Sequence, residues 1–250
     1  MSDSEYHFDY ELPKNGGSPR HQLRERRKEA KRVKGIVVED DTGRHRYYFD
    51  LVTRHPVAAR LKRLFDVLFS LTMILLLAPV LLLIMAAIKW TSPGPVIFRQ
   101  RRIGFRGNQF AMYKFRTMVV DADRMESGNG TAFVKPKNDP RVTPVGRFLR
   151  KHSLDELPQL FNVLRGTMSL VGPRPLREID VQHIPGPSSV RRFAMPPGIT
   201  GLWQVCGRSN CVGSKGLTLD RHYVDRWSLW LDFEILLRTV QVVLTGEDAV

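Results

Sequence analysis

The 250 residues carry 39 Lys and Arg against 25 Asp and Glu, a formal net charge of +14, and the sequence pI is near 10.2. That balance points to an anionic partner: a phospholipid surface, a phosphorylated substrate or nucleic acid. Two cysteines, Cys206 and Cys211, without a CxxC or paired histidines, argue against a disulfide framework or a zinc site and suit a reducing compartment.

Residues 1–57 read as a basic, largely disordered extension. Gly16-Gly17-Ser18-Pro19 is a flexible break, and the charge run Arg24–Arg32 offers too little apolar surface to offset the entropy of ordering. No aromatic is interleaved with the basic run, so nucleic acid is not expected as a partner; anionic lipid or plain solvation suits it better. No small-residue cleavage site follows the apolar segment downstream, so a signal peptide is not expected.

Residues 58–92 hold the membrane-grade stretch, Leu64 to Ile88, longer than the ~20 residues that cross a hydrocarbon core. A spanning helix is the simple reading. Basic residues flank both ends, however: Arg60, Lys62 and Arg63 before, Lys89, Arg99, Arg101, Arg102 and Arg106 after. The positive-inside rule places both flanks in the cytoplasm, and Pro79 near the middle removes a backbone hydrogen bond. A re-entrant hairpin that enters and leaves on one face satisfies both features. Asp66, near the entry, is expected to pair with Arg63 at the interface.

Residues 93–225 form the expected cytosolic domain. Ser92-Pro93-Gly94-Pro95 turns the chain out of the membrane. Val96–Arg102 and Gln109–Phe115 read as two short strands joined across Phe105-Arg106-Gly107-Asn108. Basic and aromatic residues alternate through Tyr113-Lys114-Phe115-Arg116, which by itself suits an edge strand with a solvated face. Asp121–Asn138 reads as a polar, mobile loop. Thr143-Pro144 starts a helix, with Thr as cap and Pro at its first position; Val145, Phe148 and Leu149 share one face, and Arg147, Arg150 and Lys151 point elsewhere.

The adjacent carboxylates Asp155 and Glu156 follow. Ser153-x-x-Glu156 matches a capping box, which would make both acids helix furniture. Pro158 blurs that reading, and the helix is equally placed to begin near it and run through Leu164, leaving the acids in the turn before. Either way the basic surroundings keep them ionised, and an ionised carboxylate can attack phosphorus or hold Mg²⁺. Downstream, Pro173 and Pro175 fix the backbone around Arg174, whose planar fork suits a phosphate. Arg208, after Gly207, is a further candidate phosphate contact, and Trp203 a candidate stacking residue. Residues 226–250 read as an amphipathic C-terminal helix: Leu229, Phe233, Leu236, Val240 and Val243 recur at helical spacing with Asp232 off the stripe, fitting either core packing or a helix lying in the membrane interface.

Several ordered motifs then carry a resemblance: Lys62-Arg63-Leu64-Phe65-Asp66 with Pro79, Lys114–Met118, Ser153–Leu164, Ser169–Pro175 and Pro197-Gly198-Ile199-Thr200-Gly201. From about Lys62 onward the chain resembles the bacterial sugar transferases, the monotopic polyprenyl-phosphate phosphoglycosyl transferases of exopolysaccharide initiation. The resemblance implies a mainly α fold with a small β-hairpin (α+β), and a monotopic membrane protein with a proline-broken re-entrant helix and interfacial amphipathic helices. It implies that Asp155 attacks the β-phosphate of a UDP-sugar, that UMP leaves, and that undecaprenyl phosphate then takes the sugar phosphate. It further implies Mg²⁺ held with the help of Glu156 and Asp155, and phosphate contacts from Arg150, Arg174 and Arg208. Lys114 and Arg116 would lie near the site. The implied setting is the cytoplasmic face of the bacterial inner membrane, with a homodimer and downstream glycosyltransferases as partners. Pro196 stands where the family usually has arginine, so one basic contact is absent or supplied by Arg191 or Arg192.

Overall fold

The computed structural model describes residues 36–39, 45–48, 55–122, 139–182, 191–206 and 214–245. Within the N-terminal extension, β1 (Ile36–Glu39) and β2 (His45–Tyr48) pair antiparallel, a hairpin that the charge-based reading of residues 1–57 did not anticipate. Residues 55–57 of that extension lead into the first helix, and the remainder lies outside the described residues.

The apolar segment folds as two helices end to end, α1 (Pro56–Leu76) and α2 (Ala78–Thr91). Leu77 between them sits at φ −89°, ψ 3°, and Pro79 falls in the first turn of α2, where its missing N–H costs no hydrogen bond. Together they make 36 residues long and apolar enough to cross a membrane; straight, that would be about 54 Å. Its polarity is inside out. Lys62, Asp66 and Ser70, four residues apart, are buried against the protein, whereas Leu61, Leu64, Leu68, Leu71 and Leu75 are exposed. Leu81, Ile84 and Ile88 continue the buried line along α2, so the segment packs on the domain from end to end.

β3 (Ile97–Ile103) and β4 (Gln109–Phe115) pair antiparallel from Ile97↔Phe115 to Ile103↔Gln109, close to the bounds read from sequence. Gly107, at φ +71°, makes the turn. α3 (Pro144–Lys151) starts as expected, Thr143 Oγ1 accepting from the Gly146 N–H at 2.9 Å. Its apolar face is narrower than the spacing suggested: Leu149 is buried, but Phe148 is exposed and tilts against His152. A one-turn 3₁₀ segment (Leu154–Glu156) leads to α4 (Gln159–Leu164). Then β5 (Ser169–Val171) and β6 (Gly198–Thr200) pair parallel across a crossover that contains α5 (Glu178–Gln182). α6 (Leu202–Val205), α7 (Ser214–Asp225) and α8 (Leu229–Thr245) complete the described chain. The architecture is mainly helical with three two-stranded sheets.

Two hydrophobic clusters organise the packing. Met112, Leu160, Val163, Leu170, Tyr223 and Ile235 belong to the larger, which receives Met73 and Ile74 of α1. The smaller joins Leu81, Ile84 and Ile88 of α2 to Phe115 and Leu149. β4 therefore bridges the two through Met112 and Phe115, with Lys114 between them.

One expectation is corrected here. Asp66 does not pair with Arg63: it accepts from the Leu170 N–H at 3.1 Å, while Arg63 donates to the carbonyls of Val163 and Leu164 at the end of α4. Four carbonyls are left over at any helix C-terminus, and a nearby guanidinium meets two of them. In α8, whose stripe suited either the core or an exposed face, Leu229, Phe233 and Val240 are exposed and Leu236 packs partly buried on the larger cluster, whereas Ile235 and Asp232 are buried. Asp232 accepts from Lys62 Nζ at 2.6 Å, Tyr223 Oη at 2.6 Å and Trp227 Nε1 at 3.2 Å. Hence α8 turns a carboxylate inward and apolar side chains outward, as α1 does.

Candidate active site

The acid pair sits where three pieces of backbone meet: the end of β4, the 3₁₀ turn, and the loop that leaves β5. Asn162 fastens the first two. Its Oδ1 accepts from the Tyr113 N–H at 2.9 Å and its Nδ2 donates to the Ala111 carbonyl at 2.7 Å, so α4 continues the edge of β4 as another strand would. Ser153 adopts φ 54°, ψ 19° and makes no side-chain cap. The capping box is not formed; the left-handed residue ends α3 and swings the acids into a separate turn before α4.

That turn sends the two carboxylates to different neighbours. Glu156 Oε1 accepts from Lys114 Nζ at 2.6 Å in a half-buried ion pair. Asp155, 9% exposed, lies in the electrostatic reach of Arg150. Arg150 is held by its Nε–H bond to Thr117 Oγ1 at 2.9 Å, and burial lowers its pKa against the opposing pull of Asp155.

A small cleft opens over Glu156, lined among others by Lys114, Gln159, Arg174, Gln204 and Arg102. Arg174 is supported from both sides. Its guanidinium lies over the Trp203 ring, 5.5 Å from the centroid. Its carbonyl accepts from Arg192 Nη2 at 2.7 Å, and its backbone also hydrogen-bonds Asp220, the buried ion-pair partner of Arg192. Behind it, Gly172 and Gly198 pass so closely that a Cβ on Gly198 would lie 2.1 Å from Gly172 N. Only glycine permits that approach, which explains why both motifs carry one.

Of the residues singled out from sequence, Lys114, Glu156 and Arg174 meet in the cleft and Arg150 stands beside Asp155. Arg116 is not brought there: it is buried and donates to Ser92 Oγ and to the carbonyls of Ser92 and Pro93, clamping the exit turn of α2. Arg191 pairs with Asp225 on the surface, and Arg192 works from behind Arg174, so neither supplies a contact inside the cleft. Arg208 and the loop 123–138 lie outside the described residues. Sequence reasoning treated Arg102 only as a membrane flank. It reaches the cleft, donating to the Pro175 carbonyl at 3.2 Å and to Gln100 Oε1, and burial beside Arg174 pushes its pKa down to about 10, so it remains charged. Its signal was the strand alternation: Arg102 and Lys114 lie on paired strands, with Phe110 opposite Arg102. Gln159 and Gln204 were also missed; Gln204 Nε2 bonds the Ile199 carbonyl while its buried Oε1 has no protein donor.

Among the described residues, no three His, Cys, Asp or Glu side chains converge. An all-protein metal cage is therefore absent from them. Mg²⁺ is commonly held by one or two carboxylates with phosphate oxygens and water completing the shell; Asp155 and Glu156 are carboxylates of that kind, Glu156 being paired here with Lys114.

The family model for the bacterial sugar transferases matches residues 57–246. The chain belongs to the bacterial sugar transferase family. The exopolysaccharide production protein ExoY of Rhizobium meliloti is 42% identical over 200 residues, covering 75% of this chain and 87% of that protein. The UDP-galactose-lipid carrier transferase of Erwinia amylovora is 42% identical over 199 residues, 76% of this chain and 41% of that protein. The undecaprenyl-phosphate glucose phosphotransferase of Komagataeibacter xylinus is 43% identical over 198 residues, 75% of this chain and 36% of that protein. Membership makes the chain a transferase, and the acid pair and the cleft with its clamped arginine lie within the matched span.

Proposed function

We propose that this transferase moves a hexose 1-phosphate from a UDP-sugar to a polyprenyl phosphate, such as undecaprenyl phosphate, in an early membrane step of exopolysaccharide synthesis. The observation that carries the reading is the division of labour in the acid turn. Lys114 occupies Glu156, which lines a cleft together with Arg102 and Arg174, whereas Asp155, the residue before it, stands in the electrostatic reach of Arg150.

A carboxylate approaching a diphosphate drives negative charge against negative charge, and fixed cations are needed to offset it. In the first step a carboxylate oxygen of Asp155 forms a bond to the β-phosphorus. The bond from that phosphorus to the bridging oxygen breaks, and UMP leaves with the electron pair. In the second, an acceptor phosphate oxygen attacks the same phosphorus, and Asp155 departs again as a carboxylate. Neither step requires a proton. Arg174 and Arg102 hold the phosphates, and Arg150 keeps Asp155 ionised and aimed. Mg²⁺, held by Glu156 and Asp155, would supply charge neutralisation on the diphosphate when bound. Relatives are named for galactose and for glucose, so hexose is the reading at this level.

The exposed apolar faces of α1 and α8 support attachment to the inner membrane from its cytoplasmic side. Buried polar residues at three successive turns of α1, Lys62, Asp66 and Ser70, favour a segment lying on the domain and returning to one face over one that leaves it to cross the bilayer.

The test is UMP release from a panel of UDP-sugars by the full chain in nanodiscs, with Mg²⁺ and undecaprenyl phosphate. Asp155→Asn is expected to lose at least about 10³-fold in kcat, and Glu156→Gln about 10²-fold with a raised Mg²⁺ requirement. Equal release by Asp155→Asn overturns the nucleophile. No release by wild type from any donor overturns the reaction.

A further inference from the structure

Between α1 and α8 lies an apolar groove of about 300 Å³, at the small end of ligand sites. Its walls are Leu61 and Phe65 from α1, Leu229, Phe233 and Leu236 from α8, and Leu170 at the inner end. Lys62, Asp66 and Asp232 form the floor, but their polar groups already bond within the protein: Lys62 Nζ to the Val171 carbonyl and Asp232, Asp66 to the Leu170 N–H. What faces an incoming ligand is therefore hydrocarbon. The rim is open, with Leu61 52%, Phe65 49% and Phe233 47% exposed. It runs without a break into the exposed faces of the two helices, Leu64, Leu68 and Leu71 on one side, Leu237 and Val240 on the other.

The inner end gives the groove its direction. Val171, which lines it, is three residues before Arg174, which lines the cleft; three residues span at most about 11 Å. An acceptor with its phosphate in the cleft and its chain in lipid has to thread hydrocarbon from one to the other. The geometry points to this groove as the seat of the first isoprene units of the polyprenyl phosphate, the remainder lying along α1 and α8 in the bilayer. A bulk phospholipid would gain the same apolar contacts, and the competition arm of the labelling below separates it from the acceptor. The inference rests on the proposed acceptor, and it adds where the chain is bound and by which helices.

The experiment uses the full chain in nanodiscs and a polyprenyl phosphate carrying a photoactivatable diazirine in its phosphate-proximal isoprene units. After irradiation and digestion, labelled peptides are expected from both α1 (Pro56–Leu76) and α8 (Leu229–Thr245), suppressed by excess undecaprenyl phosphate. Labelling confined to α2, or spread evenly over the exposed faces, overturns the site. Equal labelling by a diazirine-bearing phosphatidylglycerol that undecaprenyl phosphate does not displace makes the groove a bulk-lipid site and likewise overturns it. A second measurement takes KM for undecaprenyl phosphate and for a ten-carbon prenyl phosphate, both of which carry the first isoprene units. Leu61→Trp, which fills the groove from its open rim, is expected to raise both about tenfold or more, the worth of a few buried methylenes, while the donor KM stays the same. An unchanged acceptor KM counts against the groove. Wild-type UMP release from the donor is scored in the same samples, and its absence would condemn the proposed reaction, not the groove.

Discussion

Substituting Asp232 by Asn tests how the apolar helix α1 is held. Asp232 on α8 receives Lys62, Tyr223 and Trp227 at 2.6, 2.6 and 3.2 Å, and the Lys62 and Asp232 side chains are only 8% and 10% exposed. Asparagine keeps the shape and can still accept from Tyr223, but it removes the carboxylate in direct contact with the buried Lys62 ammonium and leaves only Asp66 within its electrostatic reach. Breaking one side of such a pair costs about 3–5 kcal/mol. For a folded unit of this size that corresponds to a fall in Tm of roughly 6–20 °C. The double variant Lys62→Met with Asp232→Leu removes both charges, and Tyr223 retains its bond to the Val171 carbonyl at 3.2 Å. It should therefore lose less than Asp232→Asn alone, because matched apolar replacement of a buried pair is often close to neutral. Intrinsic tryptophan fluorescence during heating in nanodiscs reads this directly, since Trp227 touches the site. A shift of less than about 2 °C for Asp232→Asn, or a double variant as damaged as the sum of its singles, would refute the argument that the ion pair couples α1 to α8.

Three further outcomes follow from the geometry. Arg192→Lys keeps the charge near Asp220 but loses the planar fork that also reaches the Arg174 carbonyl; donor KM should rise about tenfold with a smaller change in kcat and an unchanged circular dichroism spectrum, and an equal fall in kcat would assign Arg192 a different part. Gly146→Ala would set a Cβ 2.0 Å from the Thr117 carbonyl oxygen, so α3 must shift, lowering stability by about 1–3 kcal/mol in thermal melts. Hydrogen bonds from Arg141 hold the Asp139 carboxyl down at about 2, below its unfolded value near 3.8. Its stabilising contribution is complete above about pH 4 and is lost as pH falls toward 2; the Tm gap between wild type and Asp139→Asn should be widest at neutral pH and close on acidification.

Signals that live within a few residues were readable from the sequence. Thr143-Pro144 caps α3 because hydroxyl and N–H are three residues apart; Pro79 marks the break between α1 and α2; the glycine turn pairs β3 with β4 nearly in the expected register. The acids of the Ser153–Asn162 run were recognisable as candidates, although the capping pattern competed with them until Ser153 was seen in a left-handed conformation. Asn162 illustrates what such a motif conceals. Its side chain completes the edge of β4, 49 to 51 residues away, and no local pattern announces that.

The division is clearest in the apolar segment. Hydropathy by itself marked α1 and α2 as long and apolar enough to cross a membrane, because composition sets the cost of exposing them to water. Which face is turned away from the protein was decided only by tertiary structure. Lys62 meets Asp232 across 170 residues of sequence, and the Arg192–Asp220 pair reaches Arg174 from another element altogether. A buried charge is tolerable only beside its partner. The partner's position, and with it the direction in which every neighbouring leucine points, exists only once the chain has folded.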